Sequence, residues 1–290
     1  MQAVIKVARC VLHRSPDTRS EPVDEVLLGW EVEVLEAADG WVRLRTDYGY
    51  EGFAFGDCLE LDQGRVSRWH TLPKAVFGRA VGDVLPQPCY QASPRLTLLR
   101  GGLVGLPDPA QPEEWRAVML PDGQTGFVRS PCVLSPCVPP DLSDPAAFRR
   151  KVCRNALSYL GVPYRWGGKT PLGIDCSGLT FMAYWLAGVA LFRDAEPRAG
   201  YPMLPIPPQL ALPGDLLYYP GHVALYLGEE RYLHATGQAG ADGVVLNSLR
   251  PGDATFRPDL AWEHVLTAGR LDALSGRGKE NTCVREENAL

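Results

Sequence analysis

A gapless internal repeat limits what the first half of this chain can become. The stretch from Trp41, WVRLRTDYGYEGFAFGDCL, aligns on the stretch from Trp115, WRAVMLPDGQTGFVRSPCV. Trp41 matches Trp115, Gly49 matches Gly123, Gly52-Phe53 match Gly126-Phe127, and Cys58 matches Cys132. Such a repeat means one structural unit used twice. Short alternating apolar runs, as in Glu31-Val32-Glu33-Val34-Leu35 and then Val42 and Leu44, are broken by Asp-Gly and Gly turns. That pattern predicts antiparallel hairpins forming a small β-barrel, once over residues 1–65 and again over 70–137. Trp41 and Trp115 are expected to fill the two barrel cores, with carbohydrate stacking as the alternative.

The strand-turn-strand unit ending in Gly-Phe followed by Ala or Val resembles the bacterial SH3-like domains found beside cell-wall hydrolases. A proline-rich linker follows from Ser135 to Pro140. Asp144 then reads as an N-cap with Pro145 in the first turn. Phe148, Val152, Cys153, Ala156, Leu157 and Leu160 recur at helical spacing, so a helix is expected over 145–160, stopped by Gly161. A third domain is therefore expected over 143–271. The polar remainder, 272–290, reads as a flexible tail.

Composition removes several classes of function. The net charge is −5 and no basic run opposes it, which excludes a nucleic-acid partner. No segment approaches the roughly 20 apolar residues of a membrane span. The opening MQAVIKVARCVLHRSPD has no apolar run of signal-peptide length, so a cytoplasmic protein is expected, with an upstream export signal as the alternative. Eight cysteines are present, yet no CxxC pair exists and the histidines stand far from any cysteine cluster. Neither a metal site nor an organic cofactor is implied. Most of the cysteines are expected to be small buried hydrophobes.

Cys176 stands apart. The sequence Pro163-Tyr164-Arg165-Trp166-Gly167-Gly168 leads to Asp175-Cys176-Ser177-Gly178, then to the apolar run Leu179–Leu186, which can form a buried helix. Asp175 would cap that helix and Cys176 would occupy its first turn, where the dipole favours a thiolate. The charge of Asp175 opposes this, so a histidine is needed. Gly221-His222-Val223-Ala224-Leu225-Tyr226-Leu227 and Arg231-Tyr232-Leu233-His234-Ala235 flank a turn at Gly228-Glu229-Glu230. A three-residue loop sets Leu227 opposite Arg231 and Ala224 opposite His234, with both histidines on one sheet face. A two-residue loop would set them on opposite faces. On one face, His222 can take the thiol proton and His234 can fix the tautomer of His222. The Cys176 N–H, and the Tyr164 hydroxyl, can stabilise an oxyanion.

These pieces, in this order and spacing, resemble the NlpC/P60 cysteine peptidases over residues 145–271. The resemblance implies an α+β papain-like catalytic domain behind two all-β SH3-like barrels. It implies hydrolysis of bacterial cell-wall peptides at the bond between γ-linked D-glutamate and a diamino acid. Two SH3-like modules without an export signal resemble the subgroup that recycles murein peptides inside the cell and requires a free N-terminal L-alanine. That resemblance makes Asp175, Ser177 and Glu51 the candidates for holding the substrate ammonium, with Tyr48 or Tyr50 available to wall the pocket. Asp175 can equally be a plain cap, Tyr164 a packing residue, and Glu51 a solvated turn charge. The rival functions are an exported wall endopeptidase anchored by its SH3-like domains, a non-catalytic murein-peptide-binding relative, and an acyltransferase or amidase using the same thiol ester.

Overall fold

The computed structural model describes residues 1–108, 114–136 and 140–274. Cys137, Cys283, most of the proline-rich linker's centre and nearly all of the expected tail lie outside the described residues; Asp272–Leu274 closes the described chain as a 3-10 turn.

The first unit is a seven-stranded antiparallel sheet that curls on itself. Its strand order is Pro22–Leu27, Arg9–His13, Glu51–Phe55, Trp41–Thr46, Glu31–Ala38, Gln2–Ile5, Leu59–Glu60. Alternation supplies its core: Cys10 and Leu12, Val42 and Leu44, and Ala54 all point inward. The second unit has a five-stranded sheet, from Lys74–Phe77 to Val133–Pro136, and a hairpin of Val81–Val84 with Leu96–Leu99. Phe77, Val84, Leu98, Val104, Val118 and Val128 fill it.

The sequence repeat is a repeat of register. Trp41 pairs with Phe55 and Leu44 with Gly52; 74 residues on, Trp115 pairs with Arg129 and Val118 with Gly126. Each hairpin then enters a short 3-10 turn ending at Cys58 or Cys132. The two tryptophans are not core residues, contrary to the sequence expectation. Both are half-buried on the outside, Trp41 stacked on Phe55 with ring centroids 4.2 Å apart and Trp115 under the Arg129 guanidinium. As the first residues of their strands they face outward, because Val42 and Val118 have the inward parity.

A helix not evident from the repeat, α1 (Gln63–Thr71), joins the barrels. Asp62 caps it by accepting from Arg65 N, and its buried residues are Val66 and Trp69. The Trp69 indole donates to Gly29 O at 3.0 Å. Gly29 has φ +78°, and a Cβ there would lie 2.6 Å from the Trp69 ring. This contact needs glycine on both counts.

The third unit contains α2 (Pro145–Leu157) and α3 (Cys176–Trp185) against a six-stranded antiparallel sheet. The sheet order is Met203–Ile206, Thr267–Leu271, Leu216–Tyr219, His222–Gly228, Arg231–Thr236, Gly243–Ser248. Asp144 caps α2 as expected, but the helix ends at Leu157, leaving Leu157 and Leu160 exposed. Phe148, Val152 and Ala156 make its buried face. Nine of the ten residues of α3 are buried, as the near-continuous apolar run requires.

The first barrel and the third unit share one apolar core. Trp30 of the barrel stacks on Trp185 of α3 with centroids 4.6 Å apart, and Tyr48 lies edge-on to Phe181 at 4.8 Å. The barrel is thereby held against α3, the helix that begins at Cys176.

Candidate active site

Two local events set the histidines. The turn between the strands His222–Gly228 and Arg231–Thr236 is the two-residue kind, with Glu229 and Glu230 at φ 51° and 57°. Taken alone it would displace the register by one and part the rings. A bulge at Leu227 absorbs the extra residue, so Tyr226 pairs with Tyr232 and Leu225 with Leu233. The register that a three-residue loop would give is recovered, and His222 Nε2 lies 2.8 Å from His234 Nδ1.

The chain of polar contacts continues outward. His234 Nε2 lies 2.9 Å from Asn247 Oδ1, and Asn247 Nδ2 donates to Thr255 O at 2.6 Å. Because the amide nitrogen must serve a carbonyl, Asn247 presents its oxygen to His234. His234 therefore carries its proton on Nε2 and accepts on Nδ1. His222 then donates from Nε2, and its Nδ1 is left as the basic nitrogen. Asn247, on the strand Gly243–Ser248, was not found from sequence; its only signal there was a polar residue in a Val-Val-Leu-Asn run.

Cys176 opens α3, with Asp175 as N-cap accepting from Gly178 N at 2.6 Å. The thiol faces the backbone N–H groups of Val223 and Ser177, which places it against the start of the His222 strand. Burial first, and the Asp175 carboxylate second, push the thiol up to about 11, while these N–H groups and Arg193 act the other way. Burial, helped by His234, pushes His222 down to about 3; burial likewise pushes His234 down to about 4 against the hydrogen bond to Asn247. Burial disfavours each charge taken alone. A thiolate and imidazolium created together by one proton transfer offset each other. Tyr164 lines the same cavity, and burial together with Cys176 and Asp175 raises its phenol, keeping the hydroxyl a donor.

Asp175 is more committed than a simple cap. Its Oδ1 accepts from Gly178 N and Arg193 Nη1, and its Oδ2 from Gly167 N and Arg193 Nη2. Arg193 also donates to Ser177 Oγ at 2.7 Å and, through Nε, to Asp24 of the first barrel at 2.6 Å. Lys169, buried with them, reaches Asp24 and the Tyr48 hydroxyl and is held down to about 8 by burial despite Asp24. Sequence reasoning missed Arg193, Asp24 and Lys169. The available signal was charge inside apolar strings, as in Leu191-Phe192-Arg193 and Val23-Asp24-Glu25-Val26.

A cavity of about 640 Å³ opens on Cys176 between the first barrel and the third unit. Asp175, Ser177 and Tyr164 line it, and the barrel contributes Glu21 and Tyr50. Glu51 is elsewhere, which corrects the sequence assignment. It opens a strand opposite Arg45, and its carboxylate is held by Arg43 at 2.7 Å and Arg45 at 2.8 Å on the outer face of the hairpin. Tyr50 precedes it and faces the cavity, giving its hydroxyl to Asp194 at 3.0 Å. Tyr48 instead lies buried, bonded to Asp24. Of the six described cysteines, all free, only Cys10 and Cys176 are buried.

The NlpC/P60 family model matches residues 161–258, and that of the bacterial SH3 domain matches residues 11–60. The chain is 40% identical over 264 residues to dipeptidyl-peptidase 6 of Lysinibacillus sphaericus, covering 90% of this chain and 96% of that protein. It is 24% identical over 233 residues to a γ-D-glutamyl-L-lysine dipeptidyl-peptidase of Bacillus cereus, covering 73% and 66% respectively. An NlpC/P60 family protein of Bacillus cereus shares the fold with a TM-score of 0.76 at 20% identity, over 93% of this chain and 99% of the other. The 40% identity to dipeptidyl-peptidase 6 along nearly the whole of both sequences has one meaning: the chain belongs to the NlpC/P60 family of cysteine peptidases.

Proposed function

We propose that this peptidase cleaves free murein peptides between γ-linked D-glutamate and the following diamino acid, releasing L-Ala-γ-D-Glu in cytoplasmic peptide recycling. The observation that carries this reading is the first barrel's share in the wall of the cavity. Glu21 and Tyr50 of the barrel line the cavity together with Cys176, so the barrel supplies part of the wall that a substrate meets. A groove walled by a second domain and lined by carboxylates suits a short substrate with a free amine. The two relatives, of Lysinibacillus sphaericus and Bacillus cereus, are both dipeptidyl-peptidases, which agrees with release of a dipeptide.

In this mechanism His222 Nδ1 takes the thiol proton as Cys176 Sγ attacks the γ-carbonyl carbon. The Cys176 N–H, with the Tyr164 hydroxyl, receives the developing oxyanion. The carbon–nitrogen bond breaks as His222 returns its proton to the leaving amine, and a thioester remains. Water activated by His222 then releases the dipeptide and restores the thiol. His234 holds the ring of His222 throughout. The substrate ammonium is met by Asp194, Glu21 and Ser177; Asp175 adds its field but gives its lone pairs to backbone N–H groups and Arg193.

Mass spectrometry of the enzyme with L-Ala-γ-D-Glu-diamino-acid peptide and its N-acetylated twin tests this, with Cys176→Ala as control. Cleavage of the free peptide alone supports the reading. Equal cleavage of both replaces it with an endopeptidase of open groove, and cleavage of neither removes it.

A further inference from the structure

His222 must hand its proton to the leaving amine, so the leaving residue has to seat on the side of the ring away from the acyl cavity. A second cavity of about 310 Å³ has His222 in its own lining, with Tyr219, Thr236, Arg257 and Asp259 among others, whereas the first cavity does not include His222. Tyr219 lines both cavities, so the two adjoin at that residue.

The second cavity contains one pair of opposite charges. Arg257 Nε donates to Asp259 Oδ1 at 3.0 Å, and its Nη2 meets Asp259 Oδ2. The Arg257 side chain is only 15% exposed, whereas that of Asp259 is 60% exposed. The third arm of the guanidinium, Nη1, has a long contact of 3.4 Å with Thr236 Oγ1 at the cavity wall. The guanidinium therefore has a donor to offer, and the carboxylate has an open face. Side by side, they complement a zwitterion, in which a carboxylate and an ammonium share one carbon.

We infer that Arg257 and Asp259 form a leaving-group subsite that reads the distal amino-acid head of the diamino acid. This rests on the hydrolytic reading above and deepens it. meso-Diaminopimelate carries such a head at the far end of its side chain, with a carboxylate for Arg257 and an ammonium for Asp259. Lysine carries the ammonium alone and leaves Arg257 without its anion. The subsite therefore makes the enzyme selective for diaminopimelate over lysine at this position.

The test compares kcat/KM for L-Ala-γ-D-Glu-meso-diaminopimelate and L-Ala-γ-D-Glu-L-Lys in the wild type, Arg257→Gln and Arg257→Lys proteins, with Tm recorded for each. One charge-assisted contact predicts a wild-type preference of about ten- to a hundredfold for the diaminopimelate peptide. Arg257→Gln should bring the ratio close to unity, and Arg257→Lys, which keeps the charge but loses the fork, should fall between. If the Gln protein does not fold, the Lys protein alone decides by the same criterion. No preference in the wild type, or a ratio unmoved by the substitutions, overturns the subsite while leaving the hydrolytic reading in place. An equal loss on both peptides also overturns it, because Arg257 would then hold the α-carboxylate common to both. Cleavage of neither peptide by the wild type removes the hydrolytic reading and the subsite together.

Discussion

Arg193 Nε and Asp24 Oδ1 meet at 2.6 Å across the boundary between the third unit and the first barrel, both almost fully buried. The same guanidinium grips Asp175 and Ser177 on either side of Cys176. The barrel is therefore part of the electrostatics at Cys176. Burial opposes the Asp24 charge, but Lys169 and Arg193 together hold its carboxyl below the usual range.

Removing one partner of this group leaves another charge buried and unpaired. Arg193→Leu should destabilise the protein by about 3 kcal/mol or more, read from denaturant unfolding. Asp24→Asn should cost a comparable amount, since Arg193 keeps Asp175 but Lys169 is left buried without its carboxylate, and should also lower kcat through misplacement of α3. A variant with the stability and kcat of wild type would remove the interdomain contact from the account.

The relay behind His222 should appear in kcat rather than KM. His234→Ala frees the ring of His222 and should lower kcat by about a hundredfold. Asn247→Ala, one step further out, should lower it by about tenfold, because the tautomer of His234 is then unfixed. Steady-state kinetics on the free-amine peptide measure both, and an effect confined to KM would argue for substrate contact instead.

Carboxylates at the cavity and those outside it should separate cleanly. Glu51→Gln leaves the cavity untouched and should leave kcat/KM unchanged. Asp194→Asn should reduce kcat/KM for the free-amine peptide by at least about tenfold, since a desolvated ammonium loses its anion. The reverse pattern in the two variants would return the role to Glu51.

Acid should weaken the fold through the histidines. His222 is held near 3 and His234 near 4 in the folded protein, against about 6.5 when unfolded. Between those values the unfolded chain binds more protons, so this contribution is complete above about pH 6.5 and is lost as pH falls towards the folded values. Replacing both histidines by Gln should therefore shrink the drop in Tm between about pH 7 and about pH 4. An undiminished drop would assign the acid sensitivity to carboxylates such as Asp24.

Local patterns carried a large part of this molecule. The repeat from Trp41 and Trp115 specified two hairpins of equal register because glycine placement and period-two alternation are local properties. Asp144 and Asp175 as caps, and the buried run after Cys176, were legible for the same reason. The pairing of His222 with His234 hinged on turn length, and there the bulge at Leu227 rescued a register that a two-residue turn alone would have broken. Glu51 failed because alternation says which residues share a face but not which face a neighbouring domain covers.

The sequence by itself determined the reactive groups available to the proposed chemistry, since the thiol, the two imidazoles and the helix cap are given by residue type and near neighbours. Only the tertiary structure decided what surrounds that chemistry. Asp24, Arg193 and Asp175 come from segments far apart in the chain, and Glu21 and Tyr50 reach the cavity because the barrel packs Trp30 on Trp185. Burial makes those contacts strong by removing water from them, and no local pattern records which distant charge will be buried beside which.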